Sequence, residues 1–301
     1  MTRIIVDADV YAYSCGGATQ KTLYDWVAVM GGDVIEGGIA ENKADVEAAR
    51  SSLPEGAEFH VTDIVDAEPL EHALALCKRS LLGVEQAMDE AGVEFAKLEL
   101  YLTGKGNFRE NIATIRGYKA NRIGKARPVH YRGIRRYMRE RWGAQVVRGY
   151  EADDALAMVA HDHGYDGSAC IIVSGDKDLR TVPGRHYNPR KKAWSVVTEQ
   201  EALLNFYRQV LTGDAVDNIG GCYKAGPKAA DALLSTLFDA DEETIAQAVL
   251  ELYVQSAEKK GCPIIAAGEE AMLENCRLLH MCRTVEETQP GGYWNFPWER
   301  T

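Results

Sequence analysis

No stretch of the 301 residues is both long enough and apolar enough to span a bilayer, because charge interrupts every hydrophobic run. The opening MTRIIVDAD enters a strand-like run without the apolar region of a signal peptide, so neither export nor a membrane partner is expected, and the expected compartment is the cytoplasm. Cysteine pairing is missing too. The seven cysteines (Cys15, Cys77, Cys170, Cys222, Cys262, Cys276 and Cys282) are odd in number and never spaced CxxC, which argues against a disulfide framework or a zinc ribbon. Cys276, His280 and Cys282 fall close together, but NCRLLHMCR has the spacing of an amphipathic helix rather than of a metal knuckle. Heptads and long apolar stripes are absent, so a monomer is expected. Positive charge is scarce overall, the net charge being −11, yet the shortage is uneven. Between Lys105 and Arg148 stand thirteen Lys or Arg and two acids, a local +11 that leaves −22 for the rest. A basic segment in an acidic chain suits a polyanionic partner, and equally a solvated face.

Against these absences stands a regular alternation of elements. RIIVD at residues 3–7 has the pattern of a buried strand ending on an acid, and strand-like runs follow at 97–102, 169–174 and 193–197. Helical periodicity fills 70–91 and 152–161. The alternation predicts an α/β layer fold with a mainly parallel central sheet and flanking helices over residues 1–198. Residues 31–68, rich in Gly and acids, are expected to be an irregular insertion. From 199 to 301 the pattern is helical (199–211, 228–238, 242–257, 269–282), which predicts a second, helical subdomain.

The chemistry lies in the acids. Asp7 and Asp9 close the first strand; Glu151, Asp153 and Asp154 open a helix in GYEADDALA; Asp176 and Asp178 follow CIIVSGD; Asp214 and Asp217 stand in LTGDAVDNIGG. In a parallel α/β sheet, sites form at the carboxyl ends of strands, where Asp7 and Asp176 can meet. Glu151 with Asp154, and Asp214 with Asp217, share a helical face if those stretches are helical. Gathered carboxylates need a cation, and an all-oxygen donor set points to Mg²⁺ or Mn²⁺. Taken singly, each acid also fits helix-dipole or turn chemistry.

In this order, IIVDAD, GNFR followed by GYKANR, YEADDALA, SGDKDL, LTGDAVDN and GGCYKAGPKAA resemble the 5′-nuclease, or flap endonuclease-like, family, especially the short 5′ to 3′ exonucleases of tailed phages. The resemblance implies a PIN-like sheet, a helical arch within the basic segment at about 105–148, and a helix-hairpin-helix in the C-terminal subdomain that grips DNA. It implies that Asp7, Glu151, Asp153, Asp154, Asp176, Asp178, Asp214 and Asp217 hold two metal ions. Tyr118, Lys119 and Arg122 would begin the arch, the two cations clamping the scissile phosphate and the ring stacking on a base. Lys105, Arg109, Arg116, Lys125 and Arg127 would contact DNA, as would Gly221, Lys224, Gly226 and Lys228 of the hairpin, where K⁺ is a further expected ion. The implied activity is structure-dependent 5′ to 3′ exonuclease and flap endonuclease hydrolysis of DNA with a 5′ end, branched or duplex, with an RNA–DNA hybrid as a further substrate. For a phage-encoded chain the compartment would be the host cytoplasm.

One feature departs from the family pattern. Many of its members carry an Asp just before the GNFR-like motif, where this chain has Thr103, Gly104 and Lys105. That departure motivates one alternative, a DNA-binding relative with weakened catalysis. Another is a haloacid-dehalogenase-like phosphatase, because DADV after an apolar strand fits its nucleophile motif. The phosphatase leaves YKANR, the basic segment and the hairpin without a role.

Overall fold

The first strand, β1 (Arg3–Asp7), is apolar without alternation because sheet neighbours flank it and other residues cover both its faces: Ile4, Ile5 and Val6 are completely buried. It is followed by α1 (Asp9–Ala18), β2 (Gln20–Met30), β3 (Asp33–Ala40), α2 (Lys43–Ser52), β4 (Glu58–Ala67) and α3 (Leu70–Glu90). Then come β5 (Leu98–Asn107), α4 (Arg109–Ile112), α5 (Tyr131–Trp142), β6 (Gln145–Gly149) and α6 (Ala152–Asp162). After these stand β7 (Cys170–Val173), β8 (Gly184–Asn188), β9 (Ala193–Val197), α7 (Glu199–Thr212), α8 (Pro227–Ser235), α9 (Glu242–Ala257) and α10 (Glu269–Leu279). This computed structural model describes residues 1–259, 261–262 and 267–299. The chain divides into two compact units, one of Met1–Val10, Leu82–Lys125 and Met138–Thr301, the other of Tyr11–Leu81 and Ala126–Tyr137.

In the larger unit, six strands run in the order β6-β5-β1-β7-β8-β9, all neighbours parallel except the last pair. The fold class expected from the sequence is therefore the observed one. The chain leaves β1 toward β5 on one side and β7 on the other, so the carboxyl end of β1 is the switch point at which side chains from both halves can meet. Asp7 ends that strand. On the β5 side, Gly104 has a structural reason: a Cβ there would lie 2.1 Å from the Val147 carbonyl oxygen, so a larger residue would push β5 off β6. Strand gives way to helix at Thr198, whose side chain caps α7 together with Glu201. Helices α7 to α10 then close over a core that includes Tyr207, Val210, Ile245, Tyr253, Met272 and Phe296. No helix among the described residues is long and apolar enough to cross a membrane.

The smaller unit corrects an expectation. Residues 31–68 are not irregular: β2, β3 and β4 form an antiparallel sheet in the order β3-β2-β4. The two glycines that suggested irregularity, Gly31 and Gly32, are a two-residue hairpin loop with φ of 64° and 94°, joining Met30 to its partner Asp33. Much of the sheet is exposed (Val34 is 68% and Ile39 63% accessible), which blurs the contrast between its faces and with it the period-two signal. The segment expected to start a helical arch at Tyr118 also differs. It holds a 3₁₀ turn at Ala120–Arg122, and no described α-helix occurs between Ile112 and Tyr131. Lys119 sits at φ 54°, a left-handed conformation that cannot continue a right-handed helix.

Candidate active site

Asp7 is 4% exposed at the end of β1, where it accepts a hydrogen bond from the Asp9 backbone N–H at 3.2 Å and from the Ser174 hydroxyl at 3.0 Å. Ser174 follows β7, the strand beside β1, and its hydroxyl in turn accepts from the Asp176 N–H at 3.0 Å. Asp176 receives the Asp178 N–H at 2.9 Å, and Asp178 receives the Gln209 amide at 2.7 Å. Asp214 accepts the Val216 N–H at 2.7 Å. Burial, and after it Asp9 and Asp176, pushes the Asp7 carboxyl up to about 7. Asp178 is likewise pushed up to about 7, by burial and then by Asp176 and Asp214. Asp153, in the first turn of α6, stands well above the ordinary carboxylate range through burial and the charges of Asp7, Asp176 and Glu151. The acids expected to converge thus feel one another as like charges at the carboxyl edge of the sheet.

Two lysines interrupt this field. Lys119 reaches the Glu151 carboxylate and lies 3.4 Å from Asp217, and these two acids hold its ammonium above its ordinary pKa although burial works against the charge. Arg122 adds a 2.6 Å contact to Asp217. The Tyr118 hydroxyl has one proton for two acceptors, Glu151 at 2.8 Å and Asp217 at 2.9 Å. Farther along the edge, Lys177 lies 3.2 Å from Asp214 and 3.7 Å from Asp178. Burial would raise the Asp214 pKa, but the Val216 N–H and Lys177 hold it below the ordinary range. Among the described residues, no three His, Cys, Asp or Glu side chains stand close enough to grip one ion as they are.

Several expected site residues prove to have other work. Asp154 is fully buried, and both its oxygens are taken by the Arg109 guanidinium at 2.7 and 2.8 Å, with further bonds from the Glu151 and Cys282 N–H groups. It is a poor metal ligand because its lone pairs are spent, and the Glu151–Asp154 spacing marks a helix start rather than a ligand pair. Arg109, expected on DNA, is 2% exposed and also donates to the carbonyls of Leu278 and His280, so it cannot reach a phosphate. The Tyr118 ring is packed into the core of the C-terminal helices and is not open for stacking. Gly221 is buried, with φ 65°, and a Cβ on it would meet Gly213 N at 2.4 Å; it allows two backbones to cross and does not face a phosphate. Asp214 and Asp217 lie on a turn closed by an Asp214–Ile219 bridge, not on a helix. The remaining expected cations, Lys105, Arg116, Lys125, Arg127, Lys224 and Lys228, are exposed, as is Gly226 at the start of α8. His280 pairs with Glu287 at 2.9 Å.

The position where the family pattern has an acid is accounted for by two neighbours. Thr103 donates its N–H to the Asp9 carboxylate at 2.8 Å and accepts the Ala152 N–H on its hydroxyl at 2.9 Å, which ties β5 to the start of α6. The sequence pattern marks Asp9 only as part of the strand end and does not single out Ser174, Lys177 or Gln209. Ser174 and Lys177 flank Asp176 in SGDKD, a signal the sequence did offer; Gln209 lies in an ordinary helical stretch and offers none.

Comparison with known proteins bears on this arrangement. No family model matches the chain. A DNA polymerase I from Rhizobium leguminosarum is 37% identical over 108 residues, which span 32% of this chain and 10% of that protein. Among solved structures, bacteriophage T5 D15 protein co-crystallised with metal ions matches with a TM-score of 0.52 at 13% identity, covering 93% of this chain and 90% of that one. A singly substituted T5 D15 flap endonuclease, in a pseudo-enzyme–product complex with DNA and metal ions, matches with a TM-score of 0.46, at 16% identity over 67% and 79% of the two chains. T5 5′-exonuclease with bound zinc also gives 0.46, at 14% identity over 93% and 98%. The chain therefore has the fold of the T5 D15 protein.

Proposed function

We propose that the chain is a metal-dependent 5′-nuclease, a structure-dependent 5′ to 3′ exonuclease and flap endonuclease that hydrolyses DNA phosphodiesters. The observation that carries this reading is the cluster of buried and half-buried, mutually repelling carboxylates at the carboxyl edge of β1 and β7, beside Lys119 and Arg122. An all-oxygen set in which Asp7 and Asp178 are pushed up to about 7 fits a hard divalent cation, since bound positive charge relieves the repulsion. Asp7, Glu151, Asp153, Asp176, Asp178, Asp214 and Asp217 together would hold two Mg²⁺ or Mn²⁺ ions. Such a pair, when bound, lowers the pKa of a water and offsets charge on both oxygens of the scissile bond.

The chain's own residues orient and neutralise. Ser174 and the Asp9 N–H fix the Asp7 carboxylate; the Tyr118 hydroxyl shares its one proton between Glu151 and Asp217; Arg109 anchors α6, which carries Asp153. Lys119 and Arg122 set two positive charges against Glu151 and Asp217, where they can offset the charge of a phosphate brought to the acids. Lys224, Gly226 and Lys228 at the start of α8 offer an exposed, sequence-indifferent phosphate contact for duplex, in keeping with residues 199–301 as a DNA-binding subdomain. The proposed substrate is DNA with a 5′ end, the protein acting as a soluble monomer in the cytoplasm.

A 5′-labelled branched duplex incubated with Mg²⁺ should release short 5′ products, and chelation should stop the release. Absence of any product across a full titration of Mg²⁺ and Mn²⁺ would sink the reading.

A further inference from the structure

The two lysines among the acids are held differently. Lys119 has 24% of its side chain exposed, its backbone N–H is bonded to the Asp217 carbonyl at 3.0 Å, and its left-handed φ of 54° fixes the direction of the stem. Lys177 has 66% of its side chain exposed, while its partners Asp214 and Asp178 are only 2% and 21% exposed. Its backbone is unstrained, at φ −70° and ψ −27°, so its side chain can turn away at little cost. A fixed counter-charge therefore serves the Glu151–Asp217 pair, and a removable one covers the Asp178–Asp214 pair from the solvent side.

On the nuclease reading, we propose that Lys177 is an exchangeable counter-cation: it shields Asp178 and Asp214 until a divalent ion replaces it, and the released ammonium then takes a DNA phosphate. A divalent ion outcompetes a single ammonium for two carboxylates because its charge is doubled and both oxygens face it at shorter range. Once displaced, the ammonium is a mobile point charge on a four-carbon stem, next to the place where a phosphate chain must lie. Metal and DNA then favour each other's binding, since the first ligand prepares a contact for the second.

The test compares the full-length protein with Lys177→Gln and Lys177→Arg. Without DNA, Mn²⁺ binding followed by paramagnetic resonance should be roughly threefold tighter for Lys177→Gln, the equilibrium worth of removing one half-exposed ion pair, and unchanged for Lys177→Arg. DNA binding to a fluorescent duplex with a 5′ overhang is then measured against salt. In Ca²⁺ the salt dependence of Lys177→Gln should be shallower than wild type by about 0.9 in log–log slope, one phosphate contact fewer. In EDTA the two slopes should coincide, because the lysine is still occupied by Asp214. Unchanged or weaker Mn²⁺ binding in Lys177→Gln overturns the exchange, and equal slopes in Ca²⁺ overturn the phosphate contact. Neither readout needs cleavage, so a protein that binds as described but cuts no DNA would refute the nuclease reading and leave the lysine exchange standing.

Discussion

Asp153 and Asp154 are consecutive residues in the first turn of α6, one half-buried and the other fully buried, and their electrostatics are opposite. Burial and three neighbouring acids hold Asp153 well above the ordinary carboxylate range. Asp154, which burial alone would also raise, is held below it by Arg109. The difference lies in where the counter-charge comes from. Asp154 has its own, supplied by the chain in a two-pronged guanidinium contact and completed by backbone donors. Among the described residues no ion pair this close is made by Asp153 or Asp7, and Asp178 has only the exposed Lys177 at 3.7 Å. An acid whose positive partner is built in belongs to the scaffold, whereas a group of acids left to repel one another is stable only with a cation from outside.

The largest effect should come from breaking the built-in pair. Arg109→Met leaves Asp154 charged and unpaired in the interior and frees the carbonyls of Leu278 and His280, so it should lower the unfolding free energy by about 3 to 5 kcal/mol. Adding Asp154→Leu should recover much of that loss, because two apolar side chains leave no orphaned charge. Urea unfolding in EDTA reads both. A single-variant loss below about 1 kcal/mol would mean that the pair supports nothing, and the contrast with Asp153 would lose its meaning.

A smaller effect, of opposite sign, is expected from the acids of the cluster. The folded-state values of Asp7 and Asp178 are raised to about 7 from an ordinary 3.8, so between those values the folded protein binds more protons than the unfolded chain. Metal-free stability should therefore fall as pH rises through that window, while Asp154, depressed in the fold, contributes stability that is lost only on going more acidic than its ordinary value. In EDTA the melting temperature should drop by about 5 °C between about pH 5.5 and 8, and Mg²⁺ should abolish the drop. Asp153→Asn should raise the metal-free melting temperature at the alkaline end while eliminating cleavage. A melting temperature in EDTA that is flat or rising with pH would show that the cluster is already compensated.

Much of this was legible in the chain because its central sheet leaves strong marks. An unbroken apolar run such as IIV occurs when a strand has neighbours on both sides, and acids directly after such runs sit at the switch point by topology alone. What escaped was set by contacts between distant residues. That Arg109 turns inward depends on carbonyls about 170 residues away, at Leu278 and His280, so the sequence alone shows only a basic residue in a basic segment, which suits DNA. Gly221 looked like a phosphate-binding glycine because nothing local shows that Gly213 crosses beside it. Tyr118 looked like a stacking platform because the helices that bury its ring lie about 90 or more residues downstream. The hairpin at Gly31–Gly32 was different: its turn signal was present, and the mixture of acids and exposed apolar residues around it hid the strands.

Lys105 gives the finest test of the same contrast, because it stands four residues before Arg109 in one motif and carries the same charge in different surroundings. It is exposed, whereas Arg109 is enclosed. Lys105→Ala should leave stability within about 0.5 kcal/mol of wild type, as surface substitutions do. Its consequence should fall on DNA alone: the log–log salt slope of binding should become shallower by about 0.9 if the ammonium neutralises one phosphate. Measured beside Arg109→Met, the two variants separate cleanly, one losing fold stability and the other one ionic contact. If Lys105→Ala leaves the slope unchanged, the basic segment's charge on this side is a solvated face, and the path of the DNA must be drawn through Lys119, Arg122 and the start of α8 instead.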